Sequence, residues 1–287
     1  MSYKIKLVDS HSHVHFDAFK DDVGDVLERA REAGVAMVTV GTMQKTSRGA
    51  VAFAADHENI WAAVGLHPNN IHFILPSEDE GSGREDFDYN FYLELARDPN
   101  VVAIGETGMD AYRIPDGFER EEVLKEQERV FRLHLDLCDE LGKPVIIHVR
   151  DAHEEVTRVL REYVSAGKLA RRGIMHCFTG TPEQARAYVE LGMYVSIPGI
   201  ITFPPKKGET ENSLIAAMRI VPRDRLLVET DCPYLAPVPH RGVRNEPSFV
   251  VHTATEVGRL WGVSYDEVAA QTTENALRIF NIDHFEK

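Results

Sequence analysis

Thirteen histidines occur among the 287 residues, and a subset of them stands where chemistry can be done. His11 and His13 form an H-x-H pair. Residues two apart on a strand point to the same side, so both imidazoles can reach one ion. His67, His148 and His176 each close a short apolar run, as do Glu106 and Asp231. Imidazole and carboxylate without thiolate suit Zn, Mn, Fe or Mg better than a structural cysteine site does. A carboxylate between two groups of histidines could bridge two cations roughly 3.5–4 Å apart, which would activate a water and stabilise a leaving oxygen. The candidate ligands are therefore His11, His13, Glu106, His148, His176 and Asp231. His67 is either a ligand, a group that orients one, or a contact to substrate. His15 shares the facing of His11 and His13 or lies in the following loop.

These side chains need elements that bring them together. Near-continuous Val/Ile/Leu/Ala runs cover Lys4–His11, Ala36–Thr42, Ile60–His67, Val101–Thr107, Pro144–Arg150, Gly173–Phe178, Met193–Gly199 and Arg225–Asp231. Runs without alternation indicate strands buried on both faces. Between them lie amphipathic stretches, such as Val23, Val26, Leu27, Ala30 and Ala33, and Gly34, Gly142, Gly192 and Gly262 read as helix stops. Eight strands alternating with helices point to an α/β fold, a (β/α)8 TIM barrel, whose strands deliver their C-terminal residues to one face. A doubly wound sheet is the rival, weakened because no G-x-G-x-x-G opens the first helix. Glu78–Asp88 reads as an exposed acidic insertion and Pro204–Asn212 as a loop. Ser264–Phe280 reads as an additional C-terminal helix, and residues 1–287 as a single domain.

Composition narrows the class. A hydrophobic fraction of 43% and a charged fraction of 27% are those of a globular chain. No run reaches the length of a membrane span and no secretory leader is seen. The three scattered cysteines suit a reducing cytoplasm, which is the expected location, with a monomer as the expected state. Cys177 and Cys232 flank His176 and Asp231 and are expected to be small buried hydrophobes. Asp9 and Asp110 are either partners orienting imidazoles or turn residues. His57, His72, His134, His153, His240, His252 and His284 are expected on the surface or on helices. The net charge of −14 taken alone argues against holding nucleic acid by phosphate neutralisation.

The motifs Asp9-Ser-His-Ser-His13, Gly65-Leu-His-Pro68 and Ile104-Gly-Glu-Thr-Gly-Met-Asp110 are followed by Gln127 and Pro144-Val-Ile-Ile-His148. Then come His176-Cys-Phe-Thr-Gly180, Gly199-Ile-Ile-Thr-Phe203, Glu229-Thr-Asp-Cys-Pro-Tyr234 and Arg241-Gly-Val-Arg-Asn-Glu-Pro247. In this order, from Val8 to about Phe280, the sequence resembles the TatD-type metal-dependent deoxyribonucleases, within the amidohydrolase-like TIM barrels. The resemblance implies that His11, His13 and Asp231 hold one divalent ion, that His148 and His176 hold a second, and that Glu106 bridges both. It also implies that Asp231 accepts the proton of the attacking water. Many amidohydrolases carry a carbamylated lysine on the fourth strand, whereas here that strand ends in Glu106. Ala111, where the family often has an aromatic, and His15, where Asp or Asn is more usual, depart from the pattern without touching the six ligands.

The expected activity is thus phosphodiester hydrolysis by a 3′-5′ deoxyribonuclease on single strands or 3′ ends, with two divalent ions (Mg2+, Mn2+ or Zn2+). Phosphate oxygens would meet Arg113, Arg150, Thr179, Arg241 and Arg244, while Tyr112 and Phe203 could stack bases. Arg244 and Glu246 could instead form a structural ion pair, and Lys206 and Lys207 could be solvated. Two rivals stand beside this reading: hydrolysis of a small amide, lactone or phosphotriester, and a catalytically silent metal-binding scaffold. With two cations offsetting the carboxylates, attraction for a phosphodiester becomes local and metal-borne, so the charge of −14 excludes a basic DNA-coating protein but not a nuclease.

Overall fold

The apolar runs form eight strands: β1 (Leu7–Ser12), β2 (Val35–Val40), β3 (Ile60–Val64), β4 (Val101–Asp110), β5 (Val145–Arg150), β6 (Gly173–Met175), β7 (Tyr194–Ile197) and β8 (Leu226–Val228). The helices between them are α1 (Val23–Ala33), α2 (Gln44–Asp56), α3 (Tyr89–Leu95), α4 (Arg120–Leu141), α5 (His153–Ser165), α6 (Pro182–Glu190), α7 (Ser213–Met218) and α8 (Val250–Trp261), with α9 (Tyr265–Phe280) added at the end. This computed structural model describes residues 4–71, 84–115, 117–205, 207–208 and 210–283. The strands follow chain order in one parallel sheet, and the fold is a (β/α)8 barrel. Every residue of β1, β2 and β4 is buried, as runs without alternation require. No helix among the described residues is long and apolar enough to cross a membrane. Most of the expected insertion at Glu78–Asp88 lies outside the described residues, as does Lys206.

Contacts cluster into two compact units, Met1–Thr39 with His176–Lys287, and Val40–Met175. In the first, β1 pairs with β2, β7 pairs with β8, and Ser12 bridges to Cys232 just beyond β8. Helix α9 begins at the expected place, with Ser264 and Glu267 forming a reciprocal capping box. It holds the strand starts: Asn275 donates to the carbonyls of Arg223 and Leu226, and Thr273 donates to that of Lys6. In the second unit β3, β4, β5 and β6 pair successively.

Two register irregularities fall at residues with candidate roles in chemistry. Asp9 pairs with Met37 and Ser12 with Thr39, so β1 takes three steps where β2 takes two. Likewise Ile104 pairs with Val145 and Thr107 with Ile147. Each extra residue is a bulge, which bends a strand and re-aims its side chains. His11 lies in the first bulge and Glu106 in the second.

Candidate metal centre

In the first unit three imidazoles and a carboxylate converge. His11 lies in β1 and His13 one residue past it, and their Nε2 atoms are 3.2 Å apart. Two nitrogens bound at about 2.0–2.1 Å to one ion, at angles from square to tetrahedral, stand roughly 2.9–3.4 Å apart, so the pair fits a single cation. Asp231 Oδ1 is 3.9 Å from His11 Nε2 and 3.6 Å from His13 Nε2. The His176 ring stacks on that of His11 with centroids 3.7 Å apart. One ligand atom from each of His11, His176 and Asp231 falls within 4.8 Å of the others.

The chain reaches this arrangement at a local cost. Asp231 has φ 56°, a left-handed conformation that aspartate tolerates better than most side chains. Its N–H donates to the His11 carbonyl and the His13 N–H to that of Cys232, both at 2.9 Å, so the loop after β8 is laced to β1. Burial acts to raise the Asp231 pKa, but the hydrogen bond from His13 and the surrounding imidazoles outweigh it and hold the carboxyl below its ordinary value. Asp231 therefore remains an anion.

Two carboxylates support this group from behind. Glu229 is fully buried, with Oε1 3.4 Å from His176 Nδ1 and accepting the Cys177 N–H. Carboxylates commonly stand in this position behind metal-binding imidazoles. Asp9 lies within β1, and among the described residues no hydrogen bond joins it to an imidazole ring. It accepts from the Thr230 N–H at 2.9 Å, from the Thr230 hydroxyl and from the His11 N–H, tying β1 to the residues after β8. Burial pushes the Asp9 carboxyl up to about 8, against the pull of these hydrogen bonds.

The second unit brings together His67, Glu106 and His148. The bulge in β4 carries Glu106, whose Oε1 lies 3.1 Å from His148 Nδ1 and 3.4 Å from His67 Nε2. His148 Nε2 is 3.1 Å from Asp110 Oδ2. Burial acts to lower the His148 pKa, but the two flanking carboxylates raise it to about 9. Asp110 is the orienting partner: it also accepts from Asn69 Nδ2 at 3.1 Å and from the N–H groups of Tyr112 and Arg113. Although burial acts to raise its pKa, the hydrogen bond from His148 heads the effects that set it well below the carboxylate range.

His67 is defined by its other nitrogen. Its Nδ1 accepts the Asn69 N–H at 3.1 Å, capping the short helical turn Pro68–Asn70. A neutral imidazole has one proton, which must then sit on Nε2, facing Glu106. Burial, the largest influence, lowers the His67 pKa and keeps the ring neutral. His67 thus presents an N–H donor rather than a lone pair for an ion.

Residues expected to contact substrate are distributed as follows. Tyr112 is 58% exposed with the Arg150 guanidinium 3.5 Å over its ring. Arg241 stacks at 3.7 Å on Phe203. Arg113 and Thr179 are exposed. Arg244 is engaged by Asp22 at 2.9 and 2.6 Å and by the Ala18 carbonyl, and Glu246 pairs with Arg29, so no Arg244–Glu246 pair forms. His15 Nδ1 meets Thr39 Oγ1 at 2.6 Å. His240 and His252 face each other, Nε2 to Nε2, at 3.1 Å. His134 lies on a helix, as expected, but fully buried, while His72 and His284 fall outside the described residues. All three cysteines are free; Cys232 is buried as expected and Cys177 half-buried. Residue type and spacing do not single out Glu229 and Asn69 as site residues; their positions two residues before Asp231 and two after His67 are the available signal.

Comparison with known proteins narrows what such a group serves. Residues 8–281 match the family described as TatD related DNase. The chain is 38% identical over 280 residues to the "uncharacterized metal-dependent hydrolase YabD" of Bacillus subtilis (strain 168), covering 96% of this chain and 100% of that one. It is 36% identical over 270 residues to the "3'-5' ssDNA/RNA exonuclease TatD" of Erwinia tasmaniensis, covering 92% and 95%. The solved structure of YjjV, a TatD homolog from Escherichia coli K12, superposes with a TM-score of 0.79 at 26% identity, covering 96% and 98%.

Proposed function

This chain belongs to the TatD related DNase family, a family of metal-dependent hydrolases, and from that premise we propose that it hydrolyses phosphodiesters as a 3′-5′ deoxyribonuclease on single strands or 3′ ends. The observation that carries the reading is the convergence of His11, His13 and His176 on Asp231. The donor set of imidazole and carboxylate fits divalent cations of the Mg2+, Mn2+ and Zn2+ class. On this reading His11, His13 and Asp231 would hold one divalent ion, with His148, His176 and Glu106 as the further donors. When bound, such ions supply Lewis acidity to a phosphoryl oxygen and lower the pKa of water.

The chain's own residues do the rest. Asp231, kept anionic by its imidazoles, accepts the proton of the attacking water at a carboxylate oxygen. Asp110 holds His148 in one orientation, and Glu229 stands behind His176. His67 would have to turn its Nε2–H from Glu106 to offer it to a phosphate oxygen. Arg150 and Arg241 arrive already stacked on Tyr112 and Phe203, so each pairs a cation for phosphate with an aromatic face for a base. Arg113 and Thr179 are further phosphate donors, whereas Arg244 would have to leave Asp22 to become one. The three free thiols suit a cytoplasmic setting.

The test is digestion of end-labelled single- and double-stranded DNA with Mg2+ or Mn2+, beside Asp231→Asn and a panel of small esters and lactones. The wild type is expected to shorten single strands from the 3′ end, and Asp231→Asn to lose turnover while keeping its fold. Rapid lactone hydrolysis without DNA cleavage would overturn the reading, and activity retained in Asp231→Asn would remove the assigned base.

A further inference from the structure

His134 sits in α4 and is fully buried. Its Nε2 accepts the Leu66 N–H at 3.0 Å. Its Nδ1 lies 2.8 Å from the Val130 carbonyl and 3.0 Å from Thr107 Oγ1. A carbonyl can only accept, so Nδ1 carries the proton and Nε2 is left with a lone pair for Leu66. Burial lowers this imidazole to about 4, against the pull of the Val130 carbonyl, so the ring stays neutral. The rings of Phe87 and Tyr92 pack against it, with centroids 4.3 and 5.9 Å away.

The Leu66 backbone and the Thr107 side chain that it touches belong to the segments that deliver site residues. Leu66 immediately precedes His67, and Thr107 immediately follows Glu106. Two helical turns earlier, on the same face of α4, Gln127 brackets Asp110: its Oε1 accepts the Asp110 N–H at 2.9 Å and its Nε2 donates to the Asp110 carbonyl at 3.2 Å. One helix face thus contacts residues at or beside three of the polar groups in this unit, through backbone at Leu66 and Asp110 and through the hydroxyl at Thr107. The Leu66 N–H comes after the last residue of β3, and Leu66 is fully buried, so His134 supplies an acceptor that neither the strand nor water provides.

We propose that His134 is a positioning residue that sets the His67–Glu106 contact by holding Leu66 and Thr107 through its two ring nitrogens. The inference rests on the reading that His67 and Glu106 belong to the site.

The test compares His134→Leu, which removes the acceptor, with His134→Gln, whose Oε1 can take the Leu66 N–H, and with Thr107→Val, which removes only the hydroxyl. Two readouts are followed: kcat and KM on single-stranded DNA, and Mn2+ affinity by calorimetric titration, each normalised to the folded fraction from circular dichroism. His134→Leu should lower kcat about tenfold with KM within about twofold, and weaken Mn2+ uptake by about tenfold. Gln should restore most of both losses, and Thr107→Val should shift both in the Leu direction by a smaller factor. If Leu lowers only the melting temperature, with kcat and Mn2+ affinity of the folded fraction unchanged, positioning is refuted. Should the Leu variant not fold, wild-type values in Thr107→Val refute it equally. If the wild type cleaves no DNA, the nuclease reading fails, and the Mn2+ titration still decides the role of His134.

Discussion

Gly108 is where adding one carbon should cost most for the candidate centre. It lies in β4 opposite His148 of β5, with φ 138°. A Cβ built there would stand 2.0 Å from the His148 carbonyl oxygen, and the neighbouring atoms are all backbone. Ordinary contact begins at 3.4 Å, so the two strands would have to part by 3.4 − 2.0 = 1.4 Å. Overpacking costs about 1–3 kcal/mol, and a side chain forced into this part of backbone space adds about 1–3 kcal/mol. For a domain of this size each kcal/mol moves the melting temperature by about 2–4 °C, so Gly108→Ala should melt on the order of 10 °C lower. The displacement falls between the strands bearing Glu106 and His148, and a shift of about 1 Å can cost roughly a hundredfold in rate. Thermal unfolding by circular dichroism, Mn2+ titration and turnover would be measured beside Gly24→Ala, where an added Cβ in α1 meets nothing within 4 Å. The control should match or slightly exceed wild-type stability. A Gly108→Ala protein that melts within about 2 °C of wild type, with Mn2+ affinity intact, would refute the close-approach argument.

Glu106→Ala removes the carboxylate that faces both His148 and His67, and should lower bound metal by at least one ion per chain; unchanged stoichiometry by elemental analysis would rule out its role as a shared ligand. Acid should destabilise the fold through His134. Its folded-state value of about 4 lies below the ordinary 6.5, so the stability it contributes is complete above 6.5 and is lost as the pH falls through 4. That gap corresponds to about 3 kcal/mol, read as the difference in urea stability between wild type and His134→Gln from pH 7 to pH 4. A constant difference across that window would contradict it.

Much of the barrel is visible in the order of residues because a strand buried on both faces needs an unbroken apolar run, and eight such runs occur. The strand ends were less legible. β6 and β8 stop at Met175 and Val228, short of the expected Phe178 and Asp231, and Cys177 and Asp231 then take positive φ values of 43° and 56°, which no apolar pattern encodes. β4 runs the other way, past Thr107 to Asp110, because Thr107, Gly108, Met109 and Asp110 pair with Ile147, His148, Val149 and Arg150 even though Thr-Gly-Met-Asp is no apolar run. Residue type and strand-end position single out His11, His13, His148, His176, Glu106 and Asp231, and within each unit the structure brings such side chains together. Their supports are not singled out in this way, since Glu229, His134 and Asn69 owe their roles to contacts made by the folded chain. Arg244 illustrates the difference: Glu246 is its neighbour in sequence, but Asp22 is its partner in space.

The bulges in β1 and β4 make the donors depend on residue count as well as residue type. Losing one residue between Ile104 and Thr107 would restore an even ladder, leave Thr107 to Asp110 opposite their β5 partners, and remove the bulge that re-aims Glu106. The same holds between Asp9 and Ser12 for the stretch that carries His11. A related chain could therefore keep every histidine and carboxylate and still lose the arrangement through a single deletion. Alignment gaps at these two places are more informative about the chemistry than conservative exchanges nearby.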